Sequence, residues 1–258
     1  MSLNTLRIFG MDFINDVDHN SLLKEIDSFD SRTSNKLPLL ITPNVDQVVK
    51  LARAENTALK TSCAQAAFIL PDGQPIVWTS RWRDRYSGLR GRLTGSDLFP
   101  LLWLQIKERG QKVLFILPNE SLAERFRDEY PHARAYAPPM FNVDDADAYS
   151  QVLQDCLFFL DKGGYDHVLI GLGFPKQEHL ALDLINAMKD GVMRPLFSLL
   201  GASFEFHYGL KGRAPLWMQK AGLEFLHRML SEPGRMIKRY LWDDLAFFPL
   251  AWKEIKRK

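Results

Sequence analysis

Five short apolar runs in this chain stop in the same way, and that repetition limits the fold more than any single residue does. Leu37-Pro38-Leu39-Leu40-Ile41 runs into Thr42-Pro43-Asn44, and Ala66-Ala67-Phe68-Ile69-Leu70 runs into Pro71-Asp72-Gly73. Residues 112–117 run into Pro118-Asn119, His167-Val168-Leu169-Ile170 into Gly171-Leu172-Gly173, and 196–200 into Gly201-Ala202-Ser203. Runs this short, closed by turn residues, read as buried strands of a parallel sheet. Between them lie stretches with helical spacing at 21–29, 45–61, 98–107, 148–161 and 177–188; in the second, Val48, Val49, Leu51, Ala52 and Leu59 share one face. A strand or hairpin is expected at Leu6-Arg7-Ile8-Phe9 and Met11-Asp12-Phe13, and a further strand at 133–137. Strands alternating with helices of this length predict an α/β fold: a mostly parallel sheet with helices on both faces.

The ends of those strands decide where chemistry belongs. In open α/β sheets the ligand crevice lies beyond the carboxyl ends of the strands. Thr42, Asn44, Asp72, Asn119, Gln177 and Ser203 all fall just past such an end, in turns that open helices. Helix N-termini present unpaired N–H groups and the positive end of the dipole, so a rim of this kind suits a phosphorylated ligand. Asp72, a carboxylate one step past a buried strand, is the centre of the predicted site. Pro-Asp-Gly in isolation is equally the composition of a tight turn.

Several chemistries are disfavoured. Gly171-Leu172-Gly173 begins like a dinucleotide fingerprint, but Lys176 and Gln177 stand where a third glycine belongs, and no acidic residue is properly placed after the next strand. The two glycines allow close backbone approach to a ligand, or simply a tight turn. The six histidines and the cysteines Cys63 and Cys156 have no ligand spacing, which argues against zinc. Asp16-Val17-Asp18 and Asp144-Asp145 read as solvated loops rather than metal ligands. No Gly-x-Ser-x-Gly elbow or P-loop lysine is present. Two widely separated cysteines, no basic stretch leading into an apolar run at the N-terminus, and no apolar run of about 18 residues predict a cytoplasmic protein without a spanning helix.

Charge separates the last fifth of the chain from the rest. Residues 211–258 hold 11 Lys+Arg against 5 Asp+Glu, a balance of +6; since the whole chain carries 33 and 31, the preceding 210 residues hold 22 against 26, or −4. Arg213-Ala214-Pro215-Leu216-Trp217-Met218-Gln219 leads into an expected helix over 216–230. From Pro233, Arg235, Lys238 and Arg239 alternate with Met236, Ile237, Tyr240, Leu241 and Trp242. A basic amphipathic segment with Trp and Tyr has the composition of an anchor on anionic lipid, and equally of a terminal helix packed on the body. Single-sided charge on an acidic body gives nucleic acid thin support.

Five motifs in order, Thr42-Pro43-Asn44, Leu70-Pro71-Asp72-Gly73, Thr94-Gly95-Ser96-Asp97-Leu98, Gly171-Leu172-Gly173-Phe174-Pro175-Lys176-Gln177-Glu178 and Arg213-Ala214-Pro215-Leu216-Trp217-Met218-Gln219, resemble the WecG/TagA/CpsF glycosyltransferases. The resemblance implies a Rossmann-like catalytic body over residues 1–209 and a basic, helical, membrane-associating appendage over 210–258. It implies metal-independent, inverting transfer of a sugar from a UDP-sugar to a polyprenyl-diphosphate-linked saccharide in bacterial surface or exopolysaccharide synthesis, with no cofactor, on the inner face of the cell membrane. By resemblance Asp72 is the base. Thr42 and Asn44 lie near the acceptor, Gln177 lies in the donor site, and Arg228, Arg235 and Arg239 meet the diphosphate or membrane. Gly73, Thr94, Ser96, Asp97, Gly171, Gly173, Lys176 and Arg213 complete the expected substrate-binding set.

The chain departs from the family pattern at Pro118-Asn119, where glycine is usual, at Glu205, where aspartate is usual, and over 208–211. Ser96 is expected to cap the helix over 98–107. A non-catalytic nucleotide-sugar-binding protein of the same pathway is the alternative reading, and a homo-oligomer is left open.

Overall fold

The computed structural model describes residues 3–15, 18–188, 192–215, 218 and 244–257. Strands β1 (Thr5–Ile8) and β2 (Met11–Ile14) form an antiparallel hairpin, followed by α1 (His19–Asp27). The main sheet contains β3 (Leu37–Ile41), β4 (Ala66–Ile69), β5 (Val113–Ile116), β6 (Ala133–Tyr136), β7 (His167–Ile170) and β8 (Leu196–Leu199) in the order β4-β3-β8-β7-β5-β6. All its pairings are parallel, so the expected parallel sheet is present. The chain runs outward from β3 to β4 at one edge and from β5 to β6 at the other, then returns through β7 and β8 to fill the middle. Loops leaving the central strands therefore diverge, and divergence at the carboxyl ends is what opens a crevice.

The period of two along each strand divides the core in two. Leu39, Ile41, Leu114 and Ile116 face one layer, and Leu40, Val113, Phe115 and Leu117 face the other. Helices α2 (Val45–Leu51), α3 (Thr57–Cys63), α7 (Ala146–Gly163) and α8 (Lys176–Ala187) contribute buried residues to the first layer. Helices α1, α5 (Gly95–Glu108), α6 (Glu120–Glu129) and α9 (Ser203–His207) cover the second. There Phe99, Trp103, Phe115, Phe126 and Phe204 stack and meet edge-on, a rigid base beneath β5 and β8.

One element differs from the sequence reading and another goes beyond it. The single helix expected over 45–61 is broken: α2 ends at Leu51, and a 3-10 turn, Ala54–Asn56, precedes α3. Asn56 Nδ2 donates to Lys50 O at 2.9 Å and Thr57 Oγ1 to Ala54 O at 2.8 Å. Short polar side chains here compete with the helical backbone bonds. At the other end α10 (Phe247–Ile255) forms despite Pro249, because proline in a first turn lacks only an N–H with no helical partner. α10 packs on α4 (Gln74–Arg83), burying Phe247 and Ala251, with Phe247 against Phe9 (centroids 5.4 Å apart) and Arg83 3.7 Å from Glu254. The helix expected over 216–230 lies outside the described residues apart from Met218, which is buried. Cys63 and Cys156 are buried free thiols.

Candidate active site

Three loops on the carboxyl edge of the sheet are sewn together through their backbones. Asp72 N donates to Pro43 O at 3.2 Å and Leu93 N to Pro71 O at 3.1 Å, which joins the turns after β3 and β4 to the segment leading into α5. Gly95 N donates to Asp72 Oδ2 at 3.4 Å, so the first N–H of α5 faces the half-buried carboxylate. A Cβ on Gly95 would stand 2.9 Å from Ser203 Oγ and 3.4 Å from Thr42 Oγ1. Asp72, Thr42, Gly95 and Ser203 thus converge at one point. Thr42 Oγ1 itself donates to Leu199 O at 3.4 Å, and Ser203 Oγ to Leu200 O at 2.7 Å.

The start of α5 adds the next group. Its cap is Thr94 and not the expected Ser96: Thr94 Oγ1 accepts from Asp97 N at 3.1 Å, because Gly95 and Ser96 are already in the first turn. Ser96 Oγ lies 3.1 Å from Thr94 Oγ1, and Thr94 Oγ1 donates to Asp97 Oδ2 at 2.8 Å. Arg213 Nη2 reaches Asp97 Oδ1 at 2.9 Å and ties the chain after α9 to this turn. Burial works to raise the Asp97 carboxyl, but the Thr94 hydroxyl and Arg213, with the charge of Arg92 behind them, outweigh it and hold it below the ordinary carboxylate range.

The turn after β7 is built differently. Gly171 is filled by protein: a Cβ there would meet the Phe204 ring at 2.7 Å, so its small size serves packing. Gly173 is exposed, with open space where a Cβ would point. Lys176 sits over the Phe141 ring at 4.9 Å. Gln177 and Glu178 are only 3% and 4% exposed, and Gln177 Nε2 donates to Glu178 Oε1 at 3.1 Å. Gln47 Nε2 reaches the same oxygen at 3.1 Å. Gln47 in turn completes a capping box with Asn44: Gln47 N donates to Asn44 Oδ1 at 3.1 Å, and Asn44 N to Gln47 Oε1 at 3.0 Å.

Three helices at this rim begin without a side-chain cap, α4 after Gly73, α8 after Pro175 and the short α9 after Ala202. Asn44, Thr94 and Asn119 cap α2, α5 and α6. Asn119 is therefore engaged in its own helix, beyond β7 and away from the Asp72 strand. Asp18 and Asp145 likewise cap α1 and α7, while Asp16 lies outside the described residues. Glu205 is held by Lys211 Nζ at 2.7 Å. Among the described residues no three His, Cys, Asp or Glu side chains cluster as metal ligands. Arg228, Arg235 and Arg239 lie outside the described residues.

The sequence reading missed Gly95, which faces Asp72, and Gln47, which links the two halves of the rim. Asn44-x-x-Gln47 is a capping-box spacing and was the available signal for Gln47.

Relatives of stated activity match much of the sequence. An N-acetylglucosaminyldiphosphoundecaprenol N-acetyl-beta-D-mannosaminyltransferase of Bacillus subtilis (strain 168) is 27% identical over 173 residues, 65% of this chain and 62% of the relative, so under two thirds of that enzyme's length is spanned. The enzyme of the same name from Staphylococcus aureus (strain MW2) is 25% identical over 237 residues, 89% of this chain and 85% of the relative. A model of the WecG/TagA/CpsF glycosyl transferase family matches residues 6–258, and the chain belongs to that family.

Proposed function

We propose that the protein transfers a sugar from a UDP-sugar to a polyprenyl-diphosphate-linked saccharide, with inversion, without a metal, and with Asp72 as general base. The observation that carries this is the meeting of Thr42, Ser203 and a half-buried Asp72 around Gly95 at the strand ends. Asp72 takes the proton of the acceptor hydroxyl as that oxygen attacks the anomeric carbon, and the nucleoside diphosphate departs from the opposite face. A positioned base is typically worth 10²–10⁴-fold. The departing diphosphate gathers negative charge, which the uncapped N-termini of α4 and α8, Lys176, Arg213 and the appendage arginines are placed in sequence to receive. The acceptor class is supported by the names of the Bacillus and Staphylococcus relatives.

Attachment to the inner face of the membrane is part of the same proposal. No helix among the described residues is long and apolar enough to cross a bilayer. α4 starts two residues after Asp72 and leaves Trp82 67% exposed; its neighbour α10 leaves Phe248 and Trp252 at 68% and 61%, with Lys256 over the Trp252 ring at 4.8 Å. Exposed Trp and Phe beside lysine suit the headgroup region of an anionic leaflet. Docking there holds the protein on the leaflet that carries a lipid-linked acceptor.

The test is incubation of the protein with radiolabelled UDP-sugars and a lipid-diphosphate saccharide, with and without a chelator. Label moving to lipid in the presence of chelator is the expected result. UDP binding with no transfer from any donor would favour the non-catalytic binding protein, and loss of transfer on chelation would remove the metal-independent mechanism.

A further inference from the structure

Glu178 is a carboxyl group with no exposed surface to serve and no place in the chemistry proposed above. It sits in the first turn of α8 and accepts on one oxygen, Oε1, from two amides: Gln177 of its own turn and Gln47 of α2. Glu178 Oε2 and Gln177 Oε1 are buried without a hydrogen-bond partner. A buried carboxyl is unfavourable unless its position is needed, since desolvation penalises the charged form and unmade bonds penalise either form. Burial pushes this carboxyl up to about 7, against the hydrogen bonds of Gln177 and Gln47 and the charge of Lys50.

Gln47 can serve only one orientation. Its Oε1 is committed to Asn44 N and its Nε2 to Glu178 Oε1. Through that single amide the β7–α8 turn is joined to the Thr42-Pro43-Asn44 turn, and Pro43 O in turn accepts from Asp72 N.

We infer that Glu178 is a positioning residue: its carboxyl clamps Gln47 to Gln177 and so fixes the acceptor-side turn, and with it the Asp72 backbone, against the donor-side turn. This rests on the proposed transferase reading, and it assigns Glu178 no contact with either substrate.

The decisive variant is Gln47→Glu. It keeps the Oε1 acceptor for Asn44 N, so the capping box and α2 survive, but it replaces the donor that faces Glu178 with an oxygen. The expected result is a fall of about tenfold or more in kcat/KM for the lipid acceptor, with the Kd for UDP unchanged within about twofold, and a lowered melting midpoint from two carboxyls facing each other in a buried place. Glu178→Ala should show the same split with a larger loss, and Glu178→Gln, which keeps a carbonyl acceptor in place, should recover most of it. Exchange of the Asn44 amide proton, read by hydrogen–deuterium exchange on the full chain, should quicken at least about tenfold in Glu178→Ala and stay near wild type in Glu178→Gln. Wild-type acceptor kinetics in Gln47→Glu together with wild-type exchange in Glu178→Ala would overturn the clamp. Asp72→Asn is assayed alongside. If it loses transfer while the clamp variants do not, only the clamp fails. If it keeps transfer, the base assignment fails, and the exchange measurement still decides the clamp.

Discussion

The two halves of the rim place their polar side chains in opposite ways. Around Asp72 the fastening is mainly by backbone: Asp72 N to Pro43 O and Leu93 N to Pro71 O hold three loops together, and the half-buried carboxylate meets Gly95 N at their junction. Around Gln177 the fastening is done by side chains, and Gln177 and Glu178 disappear into the protein to do it. A carboxylate left half-buried at a junction of loops can still reach a substrate, whereas side chains buried as deeply as Gln177 and Glu178 act only through what they hold. Both halves carry polar residues just past a strand end, so position along the chain alone does not tell them apart.

The largest effect is expected at Asp72. Asp72→Asn keeps the size of the side chain and removes the basic oxygen. Transfer is expected to fall by about 10²–10⁴-fold, with UDP binding retained. Turnover close to wild type would return Asp72 to a turn residue.

Glu178 tests the buried half through pH. The folded state raises its carboxyl from the ordinary 4.5 to about 7, chiefly by burial, so between those values the folded protein holds a proton that the unfolded chain has released. Stability contributed at this site therefore falls as pH rises from about 4.5 to 7, and the ionisation penalty is in full force above about 7. Glu178→Gln carries no such penalty. Relative to wild type it should gain roughly 2–3 kcal/mol between pH 5 and pH 8, measured by denaturant unfolding at both. Parallel pH curves for the two proteins would show that the carboxyl does not titrate across this window.

Gly171→Ala separates packing from ligand approach in the same turn. The added Cβ meets the Phe204 ring at 2.7 Å and Gly201 O at 3.2 Å, in a layer of interlocked aromatic rings. Overpacking of that kind costs about 1–3 kcal/mol, read as a lower denaturation midpoint, with the KM of the folded enzyme for its donor unchanged. A raised donor KM at full stability would instead place this glycine against the ligand.

How far the sequence discloses this site follows from the same division. The strands were legible because an apolar run that stops at Pro-Asp-Gly or Gly-Leu-Gly has few other uses, and Asp72 was legible because a carboxylate follows one directly. The break between α2 and α3 was not, because Asn56 and Thr57 decide it through local bonds that apolar periodicity does not register. Gly95 gave no sign of facing Asp72, since that meeting depends on β4 and α5 being brought side by side across 23 residues. Gly171 offered two readings from spacing, and only the position of Phe204, 33 residues onward, chooses between them.

Arg213 is the smallest and most discriminating case, because it stands where the body passes into the basic last fifth of the chain. Its guanidinium lies 2.9 Å from Asp97 Oδ1, but the Asp97 side chain is 42% exposed, and a pair so open to water is screened. As an anchor alone, Arg213→Ala should cost no more than about 0.5 kcal/mol, because Thr94 still holds the other Asp97 oxygen. A diphosphate binding beside it would recruit the same guanidinium as a charge-assisted donor, and the donor KM would then rise several-fold while stability scarcely changed. Measuring the unfolding midpoint and the donor KM of Arg213→Ala in low and high salt settles its side of the comparison. A salt-sensitive change in stability alone assigns it to fastening, like Glu178, and a change in KM alone assigns it to substrate, like Asp72.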